Sequence, residues 1–213
     1  MIPILSIETT GELCSAAVML DAKTYVEKNI KMKHIHSEKL VLMIEDVLRE
    51  SGLKVNDLKA VAVSLGPGSF TGLRIGMATA KGLAFGANIP IIPVPTFEAL
   101  AFQINNYLPE NIKFNIVNNV NIDEVYYGKF IADNKNAEYI SELSLVKKSE
   151  IEGKLKADEL VFGDFIKEGK NISSPNAISI AKWAVLFGEN SATHDYDYLE
   201  PTYMKNFVAK VKK

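Results

Sequence analysis

A run of small and β-branched residues passes directly into a glycine-rich segment, and this junction constrains the fold more than any other feature of the chain. Residues 60–65 predict a buried strand, and the segment GPGSFTGLRIG that follows them leads into a helix expected over residues 69–86. A strand joined to a helix by so short a loop places the backbone N–H groups of residues 68–72 at the positive end of the helix dipole, where an anion is stabilised. The candidates for holding a cofactor phosphate are Gly66, Gly68, Ser69 and Thr71.

The same segment also fits a role in packing alone. It lacks the lysine and following hydroxyl of a P-loop, and its third glycine stands one position late for the dinucleotide-binding fingerprint. Beyond the loop, small residues recur every four positions and would line one face of the helix, so that a neighbouring backbone could approach closely: Gly72, Gly76, Ala80 and Ala84. The residues alone therefore favour close packing over phosphate binding.

Composition places the chain among ordinary globular proteins and argues against several classes of function. Hydrophobic residues make up 47% of the 213 residues and charged residues 23%, which suffices for a sizeable core. A net charge of −2 gives no general attraction to a polyanion, so contact with nucleic acid would need a local patch or a second subunit. The single cysteine, Cys14, excludes an intrachain disulfide and a multi-cysteine metal site. With no basic leader and no apolar run long enough to cross a bilayer, we expect a cytoplasmic protein without a membrane partner.

Hydrophobic patterning predicts two lobes. The first, residues 1–108, opens with a meander of three strands and continues as α-β-α-β-α. Its predicted strands are 3–9, 14–20, 24–30, 60–65 and 89–94, and its predicted helices are 36–50, 69–86 and 96–108. The second and smaller lobe, residues 109–213, is expected to contain strands at 112–118, 124–132, 139–146 and 160–162, a helix at 175–187 and a basic tail at 205–213.

Four segments of the chain closely resemble the bacterial TsaB (YeaZ) family: residues 4–10, 36–40, 66–76 and 80–84. The resemblance lies almost wholly in the first half, with loose matches at residues 124–126 and 201–205 in the second. It implies an α/β, actin-like and Hsp70-like fold of the ASKHA (ribonuclease H-like) class with two lobes. It also implies a non-catalytic subunit that supports a TsaD-like catalytic subunit and a TsaE-like ATPase. Together these proteins transfer threonylcarbamoyl to adenosine 37 of ANN-decoding tRNAs, and the tRNA would be reached only through the complex.

The resemblance also directs attention to the surface that would meet the partner. The helix at 36–50 is apolar beyond one face, and the helix at 69–86 carries the stripe of small residues. We expect these two helices to meet a TsaD-like partner or, without it, a second copy of the chain. The predicted interface residues are Val41, Leu42, Glu45, Gly72, Gly76 and Ala80.

Two features separate the chain from its relatives. TsaD-type enzymes carry two metal-binding histidines four positions apart on the helix after the fifth strand, and the corresponding residues here are Thr96 and Leu100. Before Glu124, where relatives tend to carry an aspartate followed by arginines, this chain reads NVNID over residues 119–123. We therefore expect no metal site and no intrinsic cofactor, with a nucleotide at the partner interface left open, and we assign no ionic role to residues 119–123.

Other readings remain alternatives. An ATPase or phosphotransferase of the actin-like fold is the main one, because Glu8 stands where such enzymes commonly place an aspartate that serves the nucleotide phosphates. A metallopeptidase is weaker, since the chain lacks a His-Glu-x-x-His motif and its closest histidines, His34 and His36, are two positions apart. Turnover by the purified chain separates these enzymes from a non-catalytic subunit.

Overall fold

The computed structural model describes residues 1–166 and 172–204 and contains two mixed β-sheets. In each sheet the three strands that come first in the chain pair antiparallel, and the strands that come later are added by parallel pairing. The predicted basic tail at 205–213 lies outside the described residues. Within residues 1–166 and 172–204, no helix has both the length and the apolar character needed to cross a membrane.

The first sheet is built from the predicted meander and the two parallel strands. Its strands are β1 (Ile4–Glu8), β2 (Leu13–Met19), β3 (Tyr25–Lys31), β4 (Ala60–Gly66) and β5 (Ile91–Pro95). Their order is β3-β2-β1-β4-β5, with β1 and β4 parallel at the centre. All five residues of β1 are buried, as expected for a strand covered by helices on both faces.

Two helices cover one face of the first sheet. They are α1 (His36–Ser51) and α2 (Phe70–Ala87), and both contribute to the apolar cluster beneath them. Ser69 caps α2, because its side-chain oxygen accepts a hydrogen bond from Gly72 N–H. The N-cap of α1 is Ile35, and no side chain bonds to that helix end.

The second sheet follows Pro109 as predicted. Its strands are β6 (Lys113–Asn119), β7 (Glu124–Ile131), β8 (Glu138–Lys147) and β9 (Leu160–Phe162), in the order β8-β7-β6-β9. One unpredicted turn of helix, α4 (Lys148–Ile151), follows β8. The helix α3 (Thr96–Asn105) packs its apolar side chains, including Phe97 and Leu100, on this sheet.

The last helix returns to the first sheet. This helix, α5 (Ala177–Phe187), begins at the N-cap Asn176 and packs with α3 against the face opposite to α1 and α2. Glu27 on β3 accepts a hydrogen bond from Ile178 N–H (2.8 Å), and Ser15 on β2 accepts one from Ala177 N–H (2.8 Å). The division of the chain at residue 109 stays a prediction, and α5, which follows it in sequence, belongs to the core of the first sheet.

Candidate functional site

The glycine loop and the start of α2 pack tightly against the turn between β1 and β2. A Cβ on Gly72 would overlap the carbonyl oxygen of Thr9, and a Cβ on Gly68 would lie 2.6 Å from the carbonyl oxygen of Thr10. The hydroxyl of Thr9 donates a hydrogen bond to the carbonyl oxygen of Gly72 (2.7 Å). Glycine is needed at these positions because any side chain would occupy the space of the turn.

Three backbone N–H groups of the loop, those of Gly66, Ser69 and Gly72, donate hydrogen bonds within the chain. Gly66 N–H donates to the hydroxyl of Thr96 (3.1 Å), and Ser69 N–H donates to the carbonyl oxygen of Thr10 (2.7 Å). Gly72 N–H donates to Ser69 Oγ (3.2 Å). These hydrogen bonds fit a role of the loop in packing. That Gly66, Gly68, Ser69 and Thr71 hold a cofactor stays an untested prediction.

A C-terminal segment that the sequence analysis did not assign to the site lies on the same loop. Thr202 N–H donates to the carbonyl oxygen of Leu65 (2.8 Å), and a Cβ on Gly66, whose φ is +112°, would lie 2.7 Å from the carbonyl oxygen of Thr202. Next to it, Arg74 donates to the hydroxyl of Tyr203 (3.3 Å) and lies 3.9 Å over the ring of Phe70. The only sequence signal for this contact was the loose family match at residues 201–205.

Glu8 is buried at the end of β1, next to the turn. One carboxylate oxygen accepts hydrogen bonds from the N–H and the hydroxyl of Thr10, and the other accepts one from the hydroxyl of Ser64 on β4. Burial raises the pKa of Glu8 to about 7, although the bonds from Ser64 and Thr10 act in the opposite direction. Both oxygens are thus bonded inside the chain, which gives no support to the expectation that Glu8 serves nucleotide phosphates.

The small-residue stripe of α2 faces inward, and this corrects half of the predicted interface. Gly72, Gly76 and Ala80 are buried against β1, its turn and the core, so no partner can reach them without opening the fold. The other three predicted interface residues lie on the outer face of α1. Val41 and Leu42 are 56% and 51% exposed, and Glu45 is exposed as well.

A second stripe of small residues lies on the outer face of α2. Ala78 is exposed, and positions 82 and 86 carry glycines with open space where a Cβ would stand. Phe85, which is 75% exposed, lies beside them. We use the name α1–α2 surface for the following exposed residues of the two helices: Val41, Leu42, Glu45, Ala78, Gly82, Phe85 and Gly86.

The positions that correspond to the metal-binding histidines of TsaD-type enzymes are used for packing. Thr96 is the first residue of α3, and its hydroxyl accepts a hydrogen bond from Gly66 N–H. Leu100 is fully buried among aromatic and aliphatic side chains. Over residues 1–166 and 172–204, no three histidine, cysteine, aspartate or glutamate side chains come together as a set of metal ligands. His36 lies near the carbonyl oxygen of Leu13 (3.3 Å).

Residues 119–123 form the turn between β6 and β7 and carry polar rather than ionic contacts. Asn121 accepts hydrogen bonds from Asp123 N–H (2.8 Å) and Glu124 N–H (3.0 Å), which fixes the turn. Asn119 donates from its side-chain amide to the carbonyl oxygen of Asp164 (2.8 Å). Residues 121–124 line an open cleft of about 780 Å³ together with Lys147, Lys148 and Ser149.

Solved structures share this fold. A crystal structure described as a protein with similarity to the peptidase YeaZ from Pseudomonas aeruginosa superposes with a TM-score of 0.80 at 22% identity, covering 96% of this chain and 100% of that one. A second structure, YeaZ from Pseudomonas aeruginosa, superposes with a TM-score of 0.79 at 20% identity, covering 94% of this chain and 99% of that one. The predicted α/β, actin-like architecture is thereby confirmed.

Sequence comparison identifies the family. The family described as TsaD, tRNA N6-adenosine threonylcarbamoyltransferase, matches residues 30–185. The tRNA threonylcarbamoyladenosine biosynthesis protein TsaB of Buchnera aphidicola subsp. Schizaphis graminum is 34% identical over 157 residues, which is 72% of each chain. The protein of the same name from Haemophilus influenzae is 34% identical over 140 residues, and the match spans 64% of this chain and 57% of that relative. The match to the Escherichia coli protein spans 63% of its length. The chain belongs to the TsaB (YeaZ) family.

Proposed function

We propose that the chain is a non-catalytic subunit in the formation of threonylcarbamoyladenosine at position 37 of ANN-decoding tRNAs. Support comes from its relatives in Haemophilus influenzae, Escherichia coli and Buchnera aphidicola, which are named for the biosynthesis of this nucleoside. In this proposal a TsaD-like subunit performs the transfer, a TsaE-like ATPase assists it, and tRNA is reached only through the complex. The proposed place of action is the cytoplasm.

The observation that carries the proposal is the α1–α2 surface. A monomer gains nothing from aliphatic side chains in water at Val41 and Leu42 or from glycines on the exposed face of α2. Each such glycine costs about 1 kcal/mol relative to alanine. Small residues on α2 would let a partner helix approach closely, and the flanking apolar side chains would cover the contact. A TsaD-like subunit is the proposed occupant, and a second copy of the chain takes its place when that subunit is absent.

The structure at Thr96 and Leu100 supports the non-catalytic half of the proposal. Neither side chain can ligate a metal as an imidazole does, and both are used for packing, because the hydroxyl of Thr96 accepts a hydrogen bond from Gly66 N–H and the isobutyl group of Leu100 fills the core. The chemistry is therefore assigned to the partner. A nucleotide, where one is bound, is proposed to lie at the interface between subunits rather than in the glycine loop.

Depletion of the chain from its own cell tests the proposed function. Threonylcarbamoyladenosine, measured by mass spectrometry of digested tRNA, is expected to fall and to return when the wild-type chain is restored. The purified chain alone is expected to show no hydrolysis of ATP and no peptidase activity. An unchanged nucleoside level after complete loss of the chain would refute the assignment.

A further inference from the structure

Glu8 occupies an unusual place in the structure. No other acidic residue in the described part of the chain is fully buried, and none of the contacts proposed for the partner involves it. Its carboxylate joins two separate segments, because Thr10 belongs to the turn after β1 and Ser64 belongs to β4. The group therefore lies where the turn is fastened to the centre of the first sheet.

We propose that Glu8 is a proton-operated latch for the turn between β1 and β2 and, through that turn, for the first half of α2. With the carboxyl group protonated no charge is buried there, and the turn stays closed on β4. With the carboxyl group ionised the turn loosens, because a buried charge favours any opening that lets water reach it. The proposal concerns the chain by itself and does not depend on the proposed function.

A continuous set of contacts leads from Glu8 to α2. Thr10, bonded to Glu8 by its N–H and its hydroxyl, accepts a hydrogen bond from Ser69 N–H at the cap of α2 (2.7 Å). Thr9 bonds the carbonyl oxygen of Gly72 (2.7 Å) and packs against Gly76 one turn later. A movement of the turn is therefore transmitted to the first two turns of α2.

The groups around Glu8 do not neutralise its charge. From β4 it meets the hydroxyl of Ser64, from the turn it meets Thr10, and α2 presents glycines to the turn. From β2 the facing titratable group is Cys14, whose pKa is raised to about 11 by burial and, in smaller part, by the charge of Glu8. On α1 the titratable group His36 contacts the carbonyl oxygen of Leu13 rather than Glu8. The pKa of about 7 lets Glu8 change state within the pH range of a cell.

Amide hydrogen exchange resolved by NMR tests the latch on the full chain. After correction for intrinsic exchange, the protection of Ser69 and Gly72 amides is expected to fall several-fold between pH 6 and pH 8. In Glu8→Gln, which cannot ionise, protection is expected to be the same at both pH values. Because His36 is also titratable, with a pKa that burial lowers from its ordinary value of 6.5, His36→Gln serves as the control and is expected to keep the wild-type fall.

A second variant keeps the proposal testable even where Glu8→Gln fails to fold. Ser64→Ala removes one hydrogen bond that favours the ionised carboxylate, so the midpoint of the change is expected to move to higher pH while the change itself remains. Protection that is independent of pH in the wild type overturns the proposal. So does a fall in protection that disappears in His36→Gln, or a midpoint in Ser64→Ala that moves to lower pH.

Discussion

Single residues of α2 have opposite environments on its two sides. At Gly72 a Cβ would overlap the backbone of Thr9, whereas at Gly82 it would meet no atom within 4 Å. Both are glycines inside one helix, so backbone entropy contributes similarly at the two positions. A comparison of substitutions at the two positions therefore isolates the energetic effect of the contact between α2 and the turn.

Alanine substitutions at these two positions test that difference. Gly72→Ala is expected to lower the free energy of unfolding by about 1 to 3 kcal/mol, because the added methyl group must displace the turn. Gly82→Ala is expected to raise it by about 0.5 to 1 kcal/mol, because it restricts the unfolded chain and contacts nothing. Urea denaturation of the two variants measures both effects. Equal effects at the two positions would mean that the turn does not pack on α2 as described.

His36 gives a dependence of stability on pH with a definite sign. Burial is the main cause that lowers the pKa of His36 below its ordinary value of 6.5, so the unfolded chain binds the proton more readily than the folded one. The contribution of His36 to stability is therefore complete above the unfolded pKa and declines as pH falls below it. In His36→Gln this decline is expected to shrink, as measured by melting temperature between pH 5 and 7.5. A variant whose melting temperature follows the wild-type pH profile throughout would contradict this reading.

Between elements, a buried ion pair fastens the segment before β9 to the second sheet. Lys129 on β7 and Glu159 lie 2.6 Å apart, with side chains only 12% and 5% exposed, and Lys129 holds the pKa of Glu159 below its ordinary value. Asn115 on β6 adds a hydrogen bond to the same carboxylate (3.3 Å) and accepts one from Tyr127 (3.2 Å). Removal of either charge would leave the other buried without its partner.

Lys129→Met is therefore expected to destabilise the chain by about 3 kcal/mol, since a buried charge loses its counterion. The matched control is Lys28→Met on β3, whose lysine pairs with Asp46 and Glu50 at side chains about one third exposed or more. For that surface pair we expect a much smaller loss, because solvent screens the two charges. Chemical denaturation of both variants distinguishes them, and a loss at Lys129 no larger than at Lys28 would contradict the account.

At the scale of elements, the strands and helices whose pattern lies within a short window could be predicted from the sequence. Features that depend on packing between distant residues could not. The meander, the strand at β4 and the helices α1 and α2 follow from periodicity within short windows. The same helix α2 carries two stripes of small residues, one through Gly72 and Gly76 and one through Gly82 and Gly86, and both have the same spacing. Only the position of the sheet and the turn decides which stripe is buried, and the sequence does not give that position. The stripe through Gly72 and Gly76, which is buried, was therefore wrongly predicted to meet the partner.

For the whole molecule, the first and the last described parts of the chain meet at the first sheet. The helix α5 packs on it from the side opposite to α1, and residues 201–203 lie on the glycine loop. Contacts between residues so distant in sequence leave no periodic signal, which is why they could not be predicted. This arrangement buries one side of the sheet under α3 and α5 and leaves the outer side of α1 and α2 as the α1–α2 surface.

The affinity of the purified chain for the TsaD-type subunit of the same cell tests the central claim most directly. Leu42→Asp and Gly82→Leu both change exposed positions of the α1–α2 surface, whereas the control Leu186→Asp changes an exposed leucine of α5 on the opposite side. We predict that the first two variants bind at least about tenfold more weakly, a loss of about 1.4 kcal/mol or more, with unchanged melting temperatures. The control is predicted to bind like the wild type. Wild-type affinity in both Leu42→Asp and Gly82→Leu, or an equal loss in Leu186→Asp, would contradict the claim that the α1–α2 surface is where this protein meets its partner.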